Sequence, residues 1–372
     1  MKVSGIDLKT ALTPQQMVEE LDKYVIGQTD AKHAVAVAFR NRWRRLNVKN
    51  SMLRKSIIPK NILLKGPTGT GKTEIARHLA ELTESPFVRV TATEYTQKGY
   101  RGGELTDIFN DLYRESIRLH KRLGRKKPKT TKQKDDLPPW DIDVNDKDQL
   151  RSFVTSVLQQ NTSQSKPSNA NLRPWIESQG VVFIDEIDKL IARESGGSEM
   201  FKENVQRELL TLIEGTTVTT DEGPLDTSNL LFICAGSFHR TSVNKLIPEL
   251  LGRLPLQVEL SPLSQHDLQR ILTEPQTSII KQYQALLVTD GITLTFKPKV
   301  YPLLAKIAWE ANHQLMDIGA RRLHEVIELL LRNTLFQVNN GKKKENIVVD
   351  EVFVEREMQP LTTKLKPLEN DN

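Results

Sequence analysis

The most constraining feature of this 372-residue chain is an eight-residue segment that begins at Gly66. It reads Gly-Pro-Thr-Gly-Thr-Gly-Lys-Thr and fits the pattern G-x-x-x-x-G-K-[ST]. The apolar run 62–64 precedes it and the helical pattern 74–80 follows it, so a strand, a glycine loop and a helix are predicted in that order. Such a loop turns backbone N–H groups and the positive end of the helix dipole toward phosphate oxygens. The sequence therefore predicts a nucleotide-binding α/β fold.

The last two residues of the segment have separate predicted roles. Lys72 would reach the terminal phosphates, and the hydroxyl of Thr73 would bind Mg²⁺. The alternative is an ordinary glycine-rich turn between a strand and a helix, with a solvated lysine. The complete pattern, placed between a strand and a helix, argues against that alternative and predicts ATP and Mg²⁺ as cofactors.

A second motif bears on hydrolysis. The apolar run 181–184 predicts a strand buried on both faces, and it ends abruptly at Asp185 and Glu186. Open α/β sheets bind ligands at the carboxyl ends of their strands, so Asp185 is predicted to hold the metal, directly or through water. Glu186 is the candidate base that orients and deprotonates the attacking water. An acidic turn that caps the next helix is the alternative, and it suits Asp188 better than the other two. Both motifs together favour an ATPase over a binding module.

Composition excludes several other classes of protein. No window approaches the roughly 18 consecutive apolar residues of a membrane helix. Residues 1–9 resemble neither a secretory leader nor a transit peptide. The only cysteine, Cys234, lies within the apolar run 231–235 and is predicted to be a buried small hydrophobe. A cytoplasmic protein without disulfides and without a membrane partner is therefore expected.

The formal charge of +6 suggests nucleic acid, but the distribution of charge weakens that interpretation. Eight of the fourteen residues in 121–134 are Lys or Arg, and 135–148 contains six aspartates. Neighbouring blocks of opposite sign indicate a solvated insertion more than a groove that follows phosphates. The better basic patch is 40–45, with four arginines around Trp43. It can equally be the polar end of a helix that contacts a neighbouring subunit.

Strands and helices alternate over the first two thirds of the chain. Thr13, Pro14 and Gln16 predict the start of the first helix. The alternation predicts a parallel sheet with helices on both faces. The predicted strands are 61–65, 87–92, 180–185, 229–235 and 255–259.

Spacing and composition also predict the domains. Lys72 and Asp185 lie 113 positions apart, whereas two βαβ units of about 30 residues each need only roughly 60. The surplus predicts an inserted, mobile subdomain over 104–173, within a large domain formed by 1–103 and 174–260. Residues 261–360 are predicted to form a mostly helical small domain, followed by a polar tail, 361–372. Its expected elements are helical stretches at 264–289, 298–312 and 319–335 and a small ribbon from 292–296 and 347–349.

Several segments together resemble the HslU (ClpY) family of AAA+ ATPases. They are 20–28, 40–45, 66–76, 183–189, 246–255 and 318–323. The resemblance implies a AAA+ P-loop core with a parallel sheet, a charged inserted subdomain and a helical C-terminal domain. It also implies a ring, usually a hexamer, in which ATP lies between subunits.

The resemblance assigns a role to single positions. It places Ile26 on the base, Asp185 and Glu186 at the metal and water, and Glu249 at the nucleotide site. Arg253 would reach the γ-phosphate held by a neighbouring subunit, and Arg321 would contact the phosphates from the small domain. Taken alone, Arg253 could be a surface arginine and Arg321 a residue at a helix start. The positions implied to hold the phosphates are Gly69, Thr70, Gly71, Lys72, Thr73 and Glu74.

Gly99-Tyr100-Arg101-Gly102 matches the family's substrate-gripping pore loop, which usually reads Gly-Tyr-Val-Gly. An aromatic ring between glycines can press on an extended polypeptide with little sequence preference, although Tyr100 could also lie in a packed turn. Arg101 departs from the usual valine and puts a charge beside the ring.

Three further departures from the family pattern concern the insertion, the C-terminus and one strand end. The insertion is shorter than in the family. The chain ends in the polar run 369–372 instead of an apolar tail, which argues against docking an HslV-type peptidase by that tail. Ser237 stands where a polar first-sensor group is expected.

The leading prediction is an ATP-dependent unfoldase ring, itself not a peptidase, that translocates unfolded or tagged proteins as the ATPase subunit of an HslUV-type protease complex. The alternatives are a remodeller that works without a peptidase, a AAA+ motor acting on nucleic acid, and a non-catalytic scaffold. Intact Lys72, Thr73, Asp185 and Glu186 disfavour the scaffold.

Overall fold

The computed structural model describes residues 12–57, 60–94, 106–123, 172–191, 199–239, 241–337, 345–363 and 365. It confirms the predicted α/β class, with a parallel sheet in the first part of the chain and mostly helices from residue 265 onward.

Nine strands are assigned in the described ranges: β1 (Ile62–Lys65), β2 (Phe87–Thr91), β3 (Val181–Asp185), β4 (Thr217–Thr220), β5 (Gly223–Asp226), β6 (Leu231–Gly236), β7 (Leu256–Glu259), β8 (Ile292–Phe296) and β9 (Glu345–Val349). Five of them form one parallel sheet in the order β2-β3-β6-β1-β7. These are the five predicted strands, displaced by at most two residues at either end. The antiparallel hairpin β4–β5 was not predicted, because its threonine-rich strands are short and lack a continuous apolar face.

The large domain contains the helices α1 (Pro14–Leu21), α2 (Thr29–Leu46), α3 (Ser51–Ser56), α4 (Lys72–Leu82), α5 (Asp107–Arg122), α6 (Arg173–Gln179), α7 (Glu199–Glu214) and α8 (Pro248–Gly252). They cover both faces of the sheet. Ile62, Leu64 and Phe183 pack with α1, α2 and α4 on one face. Leu63 and Val182, one residue out of phase, pack with α5, α6 and α7 on the other. Both faces are buried, which explains the continuous apolar strands.

The start of α1 follows the prediction from Thr13, Pro14 and Gln16. The Thr13 hydroxyl accepts a hydrogen bond from the Gln16 N–H at 3.2 Å, and the Gln16 side chain accepts one from the Thr13 N–H at 2.9 Å. This reciprocal capping box satisfies two backbone donors that a helix start leaves open. The helix ends at Leu21, and Gly27 lies in the loop before α2.

Helix α5 changes where the predicted insertion can begin. Ile108, Phe109 and Leu112 are fully buried against Val88 and Val90 of β2, in the same apolar core as β3. The core of the large domain therefore continues beyond residue 104, the predicted start of the insertion. The charge blocks gave no sign of this, because they begin only at the end of the helix. Residues 124–171, the rest of that predicted segment, lie outside the described residues.

The small domain contains the helices α9 (Gln265–Thr273), α10 (Ile279–Val288), α11 (Val300–Gln314), α12 (Arg321–Gln337) and α13 (Glu351–Thr362). The predicted ribbon is present, as the parallel pair β8–β9. The predicted helical stretch 264–289 forms two helices, because Pro275 follows the end of the first one and has no N–H with which to continue its hydrogen bonds. Helix α13 was not predicted. These elements enclose their own apolar core.

Two exclusions from composition can be compared with the structure. In the part of the chain that the structure describes, no helix combines the length and apolar character needed to cross a membrane. Cys234 is buried in β6, and burial raises the pKa of its thiol to about 12. The thiol therefore stays protonated and acts as a small apolar side chain, as predicted.

Candidate nucleotide-binding site

A cavity of about 570 Å³ lies between the carboxyl ends of the central strands and the small domain. Both domains line it: 68–74, 185–186 and 188–189 from the large domain, and 277–279, 320–321 and 323–324 from the small domain. Ligands of open α/β sheets bind at this edge. The cavity is therefore the candidate site.

The loop between β1 and α4 has a backbone that only glycine adopts easily. Gly66, Gly69 and Gly71 have φ angles of 144°, 74° and 99°. A Cβ atom at Gly66 would lie 2.4 Å from the Leu260 carbonyl oxygen, so the loop also packs too closely for any side chain there. Gly71 is the N-cap of α4 and directs the start of that helix into the cavity. This is the cradle that a polyphosphate requires.

Lys72 is buried at the bottom of this loop, where its ammonium donates hydrogen bonds to the carbonyl oxygens of Gly66 and Pro67, at 2.6 and 2.7 Å. Burial lowers the pKa of Lys72, while the negative charges of Asp185 and Asp188 oppose that effect. The ammonium is thus held by neutral acceptors of its own loop. Phosphate oxygens, which carry charge, would be stronger acceptors for it.

Asp185 ends β3 and is paired with Arg89 of β2. Arg89 Nη2 donates to Asp185 Oδ2 at 2.7 Å, and the Glu186 N–H donates to Asp185 Oδ1 at 3.0 Å. Strands β2 and β3 are paired in parallel, with Thr91 opposite Asp185, and this register brings Arg89 next to Asp185. Both oxygens of the carboxylate predicted to bind the metal are therefore held in a fixed orientation.

Glu186 has a left-handed backbone, with φ of 57°. Left-handed backbone is uncommon for residues other than glycine, and the examples that occur are concentrated at functional sites. The conformation turns the chain sharply after β3, and Glu186 is exposed on the cavity wall. A carboxylate that water can reach suits the predicted base.

Asp188 connects this turn to the end of β6. Its Oδ2 accepts a hydrogen bond from the Ser237 hydroxyl at 2.8 Å, and Ser237 lines the cavity. The Phe238 N–H lies 3.4 Å from the same oxygen. Ser237, the predicted first-sensor residue, is thus held in place by a buried carboxylate.

Around Glu74, charged and aromatic groups form one side of the cavity. His78 and Arg77 donate to the Glu74 carboxylate and lower its pKa to about 2. The His78 ring stacks on Tyr24, with ring centroids 4.3 Å apart. Tyr24, Val25 and Ile26 line the cavity. The predicted base contact, Ile26, therefore lies beside an aromatic stack and an apolar wall, which can cover the faces of a purine.

The small domain contacts the phosphate loop directly through the turn before α12. The Ala320 N–H donates to the Gly69 carbonyl oxygen at 3.1 Å. A Cβ atom at Gly69 would lie 2.1 Å from the Ile318 carbonyl oxygen. Asn312 supports the turn by donating to the Gly319 carbonyl oxygen at 3.1 Å. Arg321, the first residue of α12, consequently lines the cavity.

Replacing Gly319 by Ala is expected to weaken ATP binding about tenfold or more, because Gly319 has φ of 59° and its Cβ would lie 2.5 Å from the Thr68 carbonyl oxygen. The turn would have to move off the loop and take Arg321 with it. Fluorescent-nucleotide titration measures the change. Gly291→Ala is the matched control: φ is 79° there, but nothing lies within 4 Å of the added Cβ. Equal affinities in the two variants would contradict the proposed role of the contact.

Two predicted residues lie away from the cavity of their own chain. Arg253 donates from Nε and Nη2 to Glu214 Oε1, at 3.0 and 2.8 Å, and both side chains are 42% exposed. Neither Arg253 nor Glu249 lines the cavity. Glu249 lies within α8 and Arg253 is the C-cap of that helix, and both are exposed, so a neighbouring subunit could reach them.

The other described site residues converge on the cavity: Ile26, Gly69, Thr70, Gly71, Lys72, Thr73, Glu74, Asp185, Glu186 and Arg321. The predicted pore loop, 99–102, lies outside the described residues.

Sequence reasoning missed Arg89 and Ser278. Arg89 stands out only as a charge between the valines of β2. Ser278 lines the cavity with a buried hydroxyl that has no hydrogen-bond partner, although it is the N-cap of α10. An N-cap serine usually bonds its own helix, and nothing in the sequence shows that this one does not.

Comparison with known proteins agrees with this geometry. The family described as "ATPase family associated with various cellular activities (AAA)" matches residues 62–262. The ATP-dependent protease ATPase subunit HslU of Rhodospirillum centenum is 38% identical, over 95% of this chain and 97% of its own length. The HslU proteins of Beijerinckia indica and Persephonella marina are 36% and 35% identical, over 95% and 94% of this chain and 97% and 96% of their own lengths. The chain therefore belongs to the AAA family of ATPases and, within it, to the HslU ATPase subunits.

Proposed function

We propose that this ATPase is a ring-shaped protein unfoldase whose ATP sites lie between subunits and which passes protein substrates to a separate peptidase. One observation carries the proposal. Each chain assembles a cavity with Lys72, Asp185, Glu186 and Arg321, yet Arg253 is exposed outside it. An arginine needed in the transition state and absent from the chain's own site can come from a neighbour.

Residues 69–74 would hold the phosphates of ATP. Lys72 would exchange the carbonyl oxygens of Gly66 and Pro67 for phosphate oxygens, which bind an ammonium more strongly. Arg321 would contact the phosphates from the small domain, and Ile26 the base. Binding at these residues would tie the two domains together across one nucleotide.

The residues present fit Mg²⁺. This ion takes oxygen ligands and usually needs only one or two carboxylates besides the phosphates of the substrate. The Thr73 hydroxyl and the oriented Asp185 carboxylate supply such ligands, and no cluster of three or more His, Cys, Asp or Glu in the described ranges offers a competing site. When bound, Mg²⁺ neutralises charge on the β- and γ-phosphates. Arg89 neutralises Asp185 in the free chain.

Glu186 would orient the attacking water and accept its proton. Its side chain projects from a turn fixed by the Glu186 N–H bond to Asp185 and, two residues later, by the Asp188–Ser237 bond. Fixed backbone on both sides limits the entropy lost when water and base are brought together.

Arg253 would complete the site of the next subunit, with Glu249 beside it. To do so, it would leave Glu214 for a phosphate, exchanging one anionic acceptor for another. Hydrolysis would then depend on assembly, and a hexamer is the proposed ring. Tyr100, between Gly99 and Gly102 and next to Arg101, would press on the substrate in the pore.

The relatives are named as ATPase subunits of an ATP-dependent protease, and we extend this role to the present chain as a cytoplasmic protein with an HslV-type peptidase as partner. Mixed with a cognate peptidase, Mg-ATP and a folded fluorescent protein, the chain is expected to cause loss of fluorescence and appearance of peptides. Lys72→Ala should abolish both. Loss of fluorescence without peptides would favour a remodeller, and loss of neither would contradict the proposal.

A further inference from the structure

Asn61, a residue with no predicted role, lies at the opposite edge of the sheet from the cavity and contacts the backbone of Arg253. It directly precedes β1 and is only 4% exposed. Its Nδ2 donates to the Arg253 carbonyl oxygen at 3.2 Å, and its Oδ1 accepts from the Phe232 N–H at 3.1 Å. One side chain thus joins the start of β1 to the start of β6 and to the residue that carries the exposed guanidinium.

The chemistry of these two bonds requires an amide. A backbone N–H only donates and a backbone C=O only accepts, so the side chain must present one acceptor and one donor. Aspartate keeps the acceptor for Phe232 but places a carboxylate oxygen against the Arg253 carbonyl. Both bonds are buried, where a lost partner is not readily replaced by water.

The backbone of Arg253 is fixed on its other sides as well. Its N–H donates to the Leu250 carbonyl oxygen at 3.1 Å, and the next residue, Leu254, is fully buried in the core. Asn61 satisfies the remaining carbonyl. The side chain that carries the guanidinium therefore extends from a backbone segment that can shift little.

Strand β1 connects Asn61 to the phosphate loop. Its neighbours in the sheet are β6 and β7, and its other end leads into the phosphate loop, roughly 16 Å from Asn61 at about 3.3 Å per residue. We propose that Asn61 is a positioning residue, which fixes Arg253 relative to the rigid sheet and so sets where the arginine enters the neighbouring subunit's site. The inference rests on the proposed action of Arg253 in trans.

Asn61→Asp is expected to lower kcat of the assembled protein about 10- to 100-fold, the loss typical of a misplacement of about 1 Å, with the Kd for ATP nearly unchanged. Asn229→Asp is the matched control. Asn229 accepts a hydrogen bond from Arg45, so aspartate there keeps its acceptor and adds favourable charge, and it should keep the parental kcat. If Asn61→Asp does not fold, Asn61→Ser takes its place.

Mixed assemblies separate positioning from a general structural defect. Asn61→Asp subunits should regain turnover when mixed with Lys72→Ala subunits, which bring a correctly placed Arg253 to their intact sites. They should not regain it with Arg253→Ala subunits. The double variant Asn61→Asp/Arg253→Ala should have the same kcat as Arg253→Ala alone, since no arginine remains to be positioned. Full kcat of Asn61→Asp, absence of recovery with Lys72→Ala, or an additive loss would each overturn the inference.

The turnover of Arg253→Ala distinguishes a failure of the proposed function from a failure of the inference about Asn61. If Arg253→Ala keeps full turnover, the proposed trans arginine is wrong and the role of Asn61 falls with it. If Arg253→Ala loses turnover and recovers in mixed assemblies while Asn61→Asp does not behave likewise, the inference about Asn61 alone fails.

Discussion

Replacing Glu186 by Gln is expected to lower kcat about 10²- to 10⁴-fold, the range typical of general base catalysis, while ATP still binds. The amide keeps the size and hydrogen-bonding capacity of the side chain but cannot accept the proton of water. Since Lys72, Asp185 and Arg321 line the same cavity and are unchanged, the Kd for ATP should stay within about twofold. Single-turnover hydrolysis and nucleotide titration measure the two quantities separately.

The neighbouring contacts make this substitution interpretable. It is the Glu186 N–H that bonds Asp185, so the orientation of Asp185, the proposed metal ligand, does not depend on the carboxylate that is removed. Glu310→Gln is a suitable control, because Glu310 pairs with Lys306 on α11, outside the cavity. Normal kcat in the Glu186 variant would remove Glu186 from the role of base.

The location of the phosphate loop and of the end of β3 at the cavity could be predicted from sequence, because both are marked by local patterns. The glycines at 69 and 71 and the lysine at 72 have fixed spacing within one turn, and four apolar residues mark the strand that ends at Asp185. Each pattern lies within one short, continuous segment and does not depend on distant parts of the chain.

Other parts of the site depend on contacts between distant segments, and local patterns could not predict them. Arg89 meets Asp185 only because β2 and β3 are paired in register, 96 positions apart in sequence. Asn61 and Arg253 are separated by 192 positions. Helix α5 falls within the predicted insertion for a related reason: Ile108, Phe109 and Leu112 recur at helical spacing in the sequence, but only their packing against β2 shows which core they join. Roles for Arg253 and Arg321 came from the family resemblance and not from their local sequence.

Arg253→Ala is expected to lower turnover by about 10³- to 10⁵-fold, the range attributed to an arginine that stabilises charge in phosphoryl transfer. The variant should still bind ATP, because Arg253 does not line the cavity of its own chain. Arg118→Ala is the matched control: Arg118 is also an exposed arginine that pairs with a carboxylate, Glu115 on α5, and it does not line the cavity. That variant should retain turnover.

The decisive measurement for Arg253 uses two inactive variants together. An Arg253→Ala subunit has an intact cavity and lacks the arginine that it should lend, whereas a Lys72→Ala subunit lacks a working cavity and keeps the arginine. When the two are mixed, sites formed by the cavity of the first and the arginine of the second should hydrolyse ATP, so turnover recovers in part. An arginine that acts within its own chain gives no recovery, and a chain that hydrolyses ATP at full rate as a dilute monomer needs no neighbour. Because Glu214 holds Arg253 in the free chain, recovery should also rise with subunit concentration, as neighbouring phosphates replace Glu214 as the acceptor.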